Sequence, residues 1–334
     1  PHFVFARELD LLRFRADNRI NQIIRDLCQG RESFGVYFMD AVKVFADQSE
    51  QGLPGQDLFW DHVHLKFTGN YMLARLYAER IAHILTLQGK VSAQDDPPAW
   101  SKAETCARSL GLTRWGQYQM TATMLSRLNQ VPFTGQSNRA ELNVRMAGEI
   151  RLLRLEPKAE LLDAMSGLYQ AAIAEDPDHW MLHDQFAHYS KAIGDKENAA
   201  SQWKKVLDLI PHHFMARFEL GSLLKSSELT ASMAEGYLRE AIQLRPYIPQ
   251  VHSELGLCLG RQHRYQESVE AFRRATELNP SDLNAHVNWA IALNSLEKTD
   301  EAIGRLDTAL SISTNSPSAH LNLARFLVPS KDWD

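Results

Sequence analysis

Asp61 and His64 stand three positions apart in Asp61-His62-Val63-His64. A carboxylate so placed can accept a hydrogen bond from the imidazole Nδ1–H. It then fixes the tautomer and stabilises the imidazolium once Nε2 takes a proton. The two residues would be the base and the orienting acid of a nucleophilic triad. A plainer reading stays open, in which Asp61 caps a turn and His64 bonds to backbone. His62 and His64 also make a His-x-His pair, but no further ligand types cluster near it, and no metal site is expected. No Gly-x-Ser-x-Gly elbow is present to supply a nucleophile.

The elements around the pair set its context. Ile20, Ile23, Ile24 and Leu27 have the spacing of an amphipathic helix, with Asp17 placed to cap it. After the turn signal Gly30–Gly35, residues 36–42 form a short apolar run rich in β-formers, which predicts a buried strand. A loop with Gly52, Pro54 and Gly55 leads to the Asp61–His64 segment. A second helix over about residues 68–87 follows, with Tyr71, Ala74, Ala78, Ile81 and Leu85 on one face. The order helix, strand, loop, helix fits an α/β domain.

This segment resembles the end of the SGNH (GDSL-type) hydrolase domain, where an Asp-x-x-His motif precedes the last helix. The stretch WDHVHLKFTGNYMLARLYAERI, residues 60–81, and the stretch LSRLNQVPFTGQSNR, residues 125–139, are similar to a bacterial subgroup in which such a domain precedes helical repeats. The resemblance implies an ester substrate, a serine nucleophile, His64 as base, Asp61 as its partner, no cofactor and a bacterial source. The family's nucleophilic serine and oxyanion-hole blocks are not visible. Ser33 lacks the Gly-Asp that precedes the family's serine. The chain is therefore expected to be the C-terminal piece of a larger hydrolase, inactive by itself, with apolar surface bared where the rest of the sheet would pack.

The second half is periodic. Pro177, Pro211, Pro246 and Pro280 fall at spacings of 34, 35 and 34 residues. Each closes an amphipathic run, because proline lacks the N–H and clashes with the preceding turn. Aligned on them, Phe186, Leu220, Leu255 and Trp289 share a column, followed by the small residues Ala187, Gly221, Gly256 and Ala290. In the second helix Ala199, Ala234, Ser268 and Ala302 precede the bulky Trp203, Leu238, Phe272 and Leu306 by four positions. Val206, Ala241, Ala275 and Ala309 lie three further on. Offsets of 4 and 3 put these columns on one helical face.

These columns resemble the tetratricopeptide (TPR) repeat, a helix hairpin closed by proline. Four units run from about Trp180 to Thr314, and residues 317–327 would be the first helix of a fifth. A degenerate unit precedes them, with Ala164–Ala174 as its second helix. In the family, exposed first-helix positions bind peptides along a concave groove. The polar candidates are Asp184, Gln185, His188, Glu219, Ser253, Glu254, Asn288 and Asn322. Asp184, Phe218, Ser253 and Val287 stand where chaperone-tail-binding members carry a cationic clamp, so that partner is not expected. Asn288 and Asn322, one repeat apart, either hydrogen-bond a peptide backbone or are merely solvated. His183, His252, His286 and His320 share one column, with Arg217 in the remaining unit. Packed helices lie about 8–10 Å apart, too far for one metal ion with Zn–N bonds of about 2.0–2.1 Å. The column is expected to pack between helices.

Composition narrows the remaining classes. The 334 residues suit about two domains, and a formal net charge of −5 gives no support to a nucleic-acid partner. Cys28, Cys106 and Cys258 are few, odd in number and far apart, which is no disulfide or zinc framework. No run approaches the ~20 apolar residues of a membrane span, so a soluble chain is expected, its compartment left open. Residues 91–100 read as a polar, proline-containing linker, and Ser101 with Glu104 as a capping box opening helical residues. The expected fold is mostly α: an incomplete α/β remnant over 1–88, a linker and helical junction over 89–136, and a repeat array over 137–334. Two functions follow, a hydrolase with a protein-binding extension or a purely non-catalytic scaffold.

Overall fold

A computed structural model describes residues 18–52, 54–55, 57–60, 64–91, 100–131, 133–135, 138–154, 159–225 and 228–327. The chain divides into two units, Pro1–Leu168 and Tyr169–Asp334.

The first unit contains α1 (Asn18–Cys28), α2 (Ala41–Asp47), α3 (Phe67–Leu87), α4 (Ala103–Ser109), α5 (Arg114–Leu128) and α6 (Arg139–Leu153). The predicted helices at 20–27 and 68–87 form as α1 and α3. The predicted strand at 36–42 does not. Residues 36–40 lack regular structure, and α2 begins at Ala41, where Asp40 Oδ1 accepts from the Lys43 N–H at 3.0 Å. The physical reason is pairing. A strand needs a neighbour for its backbone groups, whereas a helix satisfies its own. Among the described residues the sole β pairing is an isolated antiparallel bridge, Phe59–Leu65. The described part of 1–88 is thus helical and turn-rich, and the expected α/β remnant is not seen in it.

Two local details differ as well. The cap of α4 is Lys102 rather than Ser101, without a side-chain hydrogen bond. Asp17 and most of the expected linker lie outside the described residues. The apolar stripe Ile20, Ile23, Ile24 and Leu27 does share a face of α1, and it is between 43% and 54% exposed.

The second unit is a series of helix hairpins. After α7 (Ala159–Glu175), within which the division falls, come α8 (Trp180–Ile193) with α9 (Lys196–Leu209) and α10 (Phe214–Leu224) with α11 (Glu228–Leu244). Then follow α12 (Pro249–Arg261) with α13 (Tyr265–Leu278), α14 (Leu283–Asn294) with α15 (Thr299–Ile312), and a lone α16 (Pro317–Leu327). Every second helix stops two residues before the closing proline, or before Thr314 in the last full repeat. The five predicted columns of bulky and small residues are buried throughout.

The small column works by contact with the bulky one. A Cβ on Gly221 would lie 2.5 Å from Leu238 Cγ, and one on Gly256 would lie 2.8 Å from the Phe272 ring. Residues without side-chain bulk here let the two helices of a hairpin close together. The turn between them demands a left-handed residue, filled by Gly194 (φ 89), His263 (φ 57) and Glu297 (φ 61) in three of the hairpins. Only the first of these is free of the Cβ penalty.

Candidate protein-binding face and the Asp61–His64 loop

Within the first unit, two backbone hydrogen bonds flank His64. The Trp60 N–H donates to the His64 carbonyl at 2.8 Å and the Lys66 N–H to the Leu58 carbonyl at 2.7 Å, closing the chain on itself at the foot of α3. Gly69 permits this, since a Cβ there would come within 2.7 Å of both the Leu58 carbonyl oxygen and Leu65 Cδ2. Trp60 anchors the loop against Met124, Leu128, Leu142 and Met146 of α5 and α6. Arg145 Nη2 donates to the Trp60 carbonyl at 3.0 Å. Lys66 sits 4.8 Å over the Trp60 ring and 3.4 Å from Glu149. His64 is half-buried. Asp61, its expected partner, lies outside the described residues, as do His62 and Val63.

The second unit presents a face built from the first helices of successive repeats. The predicted polar positions on it fall into two groups. At the N-terminal end they are taken up by contacts within the array. Asp184 accepts from the Trp203 indole N–H at 3.2 Å and lies 3.7 Å from His188 Nε2, and the His188 ring meets Trp203 edge-on at 5.3 Å. Glu219, only 8% exposed, pairs with Lys191 of the preceding repeat at 2.5 Å. Glu254 pairs with Lys225 one repeat later, at 2.6 Å. Sequence reasoning treated both glutamates as groove positions and missed their lysines. The available signal was the spacing: Lys191 and Lys225 occupy one column, and each precedes its glutamate by one hairpin.

The ladder then changes. The next residue in the lysine column is Gly260, and the next in the glutamate column is Asn288. Among the described residues the Asn288 amide has no hydrogen bond. It lines a cavity of about 280 Å³ formed by residues of α12, α13 and α14, including Leu257, Gly260, Tyr265, Phe272 and Ile291. Asn322 uses its amide N–H to reach the Ser318 carbonyl of its own helix at 2.8 Å. Gln185 is exposed, and the Ser253 hydroxyl is buried without a hydrogen-bond partner.

Within the histidine column His183, His252 and His286 are buried as expected, whereas His320 is exposed. His183, His252, His286 and His320 each place Nε2 within 2.8–3.0 Å of the carbonyl six residues earlier, on Pro177, Pro246, Pro280 and Thr314. A carbonyl only accepts, so Nε2 carries the proton in all four. Each histidine thereby ties a first helix to the turn that feeds it. Arg217, the exception in the column, pairs instead with Glu240 at 2.7 Å. Among the described residues no group of three or more His, Cys, Asp or Glu could hold a metal ion, and no helix is long and apolar enough to cross a membrane.

Comparison with known proteins places the repeats. The tetratricopeptide repeat model matches residues 249–282, the α12–α13 hairpin. Two human proteins are similar in sequence. Protein O-mannosyl-transferase TMTC3 is 26% identical over 117 residues, 35% of this chain and 13% of that protein. Protein O-mannosyl-transferase TMTC1 is 28% identical over 192 residues, 52% of this chain and 22% of that protein. The chain thus spans less than a quarter of the curated relatives it matches. Among solved structures, YrrB, described as a TPR protein with an unusual peptide-binding site, is 18% identical with a TM-score of 0.45, covering 54% of this chain and 89% of that one. A thermophilic TPR protein of Thermus thermophilus is 17% identical with a TM-score of 0.41, covering 55% and 96% respectively. The second unit is mostly helical and built of hairpins, one of which, at residues 249–282, matches the tetratricopeptide repeat.

Proposed function

We propose that the repeat array is a protein-binding scaffold whose first-helix face takes an extended peptide over α12, α14 and α16. The carrying observation is the change along that face. At Lys191–Glu219 and Lys225–Glu254 the chain pairs its own charges across the face. At Asn288 the charges are gone and an amide with both donor and acceptor capacity is left without a hydrogen bond among the described residues. Asn322 stands one repeat on, with its carbonyl oxygen available. Amides at one-repeat intervals suit a peptide backbone, which offers donors and acceptors alike. The tetratricopeptide match at 249–282 supports the reading. Peptides selected on the full chain from a random display library should lose about tenfold in affinity in Asn288→Ala with Asn322→Ala, at about 0.5–1.5 kcal/mol per hydrogen bond. Unchanged affinity in that double variant sinks the proposal.

The loop at residues 60–64 favours a second reading, an ester-hydrolase remnant of SGNH type. The Trp60 N–H donates to the His64 carbonyl, so the backbone on either side of residues 61–63 is hydrogen-bonded. In this reading residues 1–88 carry Asp61 and His64, residues 89–136 are a linker and helical junction, and the array of 137–334 recruits a partner. No Gly-Asp-Ser block occurs in the sequence, so the chain should hydrolyse p-nitrophenyl acetate no faster than its His64→Ala variant. A His64-dependent rate would reveal a nucleophile of another kind.

A further inference from the structure

We propose that Gly260 and Asn288 frame a side-chain pocket on the array, which receives a leucine- or phenylalanine-sized apolar side chain of the bound polypeptide. The proposal rests on the peptide-binding reading and adds the chemistry of what is bound.

Gly260 is a glycine that packing does not require. Gly221 and Gly256 have no alternative, because Leu238 and Phe272 fill the space a Cβ would need. At Gly260 a Cβ would meet only Ser268 Oγ, at 3.4 Å, an ordinary contact. Its backbone is helical, and the left-handed position of the following turn belongs to His263. A helical glycine is unfavourable relative to alanine, yet nothing in the fold compensates for this one. What its missing side chain leaves is the cavity.

The two preceding repeats show what usually occupies this place. There the chain supplies its own long side chain, Lys191 or Lys225, lying across to the next first helix. At the third junction it supplies none, and about 280 Å³ stands open. That exceeds the ~150 Å³ cavity known to hold benzene. The walls are Leu257, Phe272, the ring of Tyr265 and the 41%-exposed Ile291. A ligand lysine or arginine would find no carboxylate here, since Asn288 stands in the glutamate's place and the one charged lining residue is the cation Arg261. The lining therefore selects an apolar group, with Asn288 beside it for the backbone that carries the group.

The test uses the full chain and capped amino acids as probes. N-acetyl-phenylalaninamide and N-acetyl-leucinamide, titrated to millimolar concentration, should shift the NMR resonances of the Gly260 amide and the Asn288 side chain; N-acetyl-lysinamide should not. Gly260→Leu fills the cavity from within and should abolish the shifts, and Ile291→Glu, at an exposed wall position, should do the same if Gly260→Leu fails to fold. Library-selected peptides should carry a leucine or aromatic residue and lose at least tenfold in affinity on either substitution. Equal shifts with the lysine probe, or shifts that survive in the folded variants, overturn the pocket. Peptides that bind but ignore both substitutions also overturn it while leaving the scaffold reading intact. Probe binding with no peptide selected would leave the pocket and remove the peptide.

Discussion

Two glycines of one helix, four residues apart, should respond to the same substitution with opposite sign. In α12, alanine in place of glycine gains up to about 0.8–1.0 kcal/mol of helix propensity at an interior position. At Gly256 that gain meets the Phe272 ring, three atoms of which would lie at 2.8, 2.8 and 2.9 Å from the new Cβ. Phe272 is 2% exposed and cannot swing into solvent. Forcing a methyl into such a core costs about 1–3 kcal/mol, so Gly256→Ala should destabilise by about 0–2 kcal/mol net. Gly260 lies in the last turn of the helix and has room, so Gly260→Ala should stabilise by about 0.5 kcal/mol. The assay is urea denaturation of the full chain, followed by circular dichroism. Because repeats couple to their neighbours one by one, midpoints are compared at matched slopes. If Gly260→Ala destabilises, or Gly256→Ala stabilises, the contact geometry behind both the close helix pairing and the open cavity is wrong.

Other outcomes follow from individual contacts. Lys225→Ala strands Glu254, whose side chain is largely shielded from solvent, and should cost about 1–2 kcal/mol; a double-mutant cycle with Glu254→Ala should show most of that as coupling. Burial pushes the Glu235 carboxyl up, but hydrogen bonds from Arg239 and Arg264 outweigh it and hold the pKa below the usual glutamate range. A depressed folded pKa gives stability that is present above the unfolded value and is lost as pH falls through the folded one. Acid titration should therefore weaken the array below about pH 4.3, and Glu235→Gln should flatten that dependence; an unchanged profile removes the assignment. Glu297→Gly relieves a left-handed residue in the α14–α15 turn and should raise stability by about 0.5–1 kcal/mol, which a lower urea midpoint would contradict.

The repeat array was legible because its signal is local and repeated. Each hairpin buries the same face, so Leu220 and Gly221 must recur as Leu255 and Gly256, and each closing proline must follow a helix end. The histidine column could be assigned to packing by distance alone. The front segment was less legible. Residues 36–42 look like a strand by type and length, but a strand exists only where a neighbour completes its hydrogen bonds, and the described residues offer none; Asp40 caps a helix instead. The Asp61–His64 spacing suggests an acid–base pair, but Asp61 lies outside the described residues. That Trp60 packs against α5 and α6 could not be read from that spacing, because those contacts join residues 64 to 86 positions apart.

The sequence by itself determined the period, the helix ends and the buried columns, since these depend on neighbours within one hairpin. Only the tertiary structure decided which polar groups on the shared face remain available. Glu219 and Glu254 are polar in sequence but occupied in space, because a lysine from the preceding repeat reaches each across the helix interface. Asn288 is open for the converse reason: the residue that would have reached it is Gly260, which has no side chain to extend.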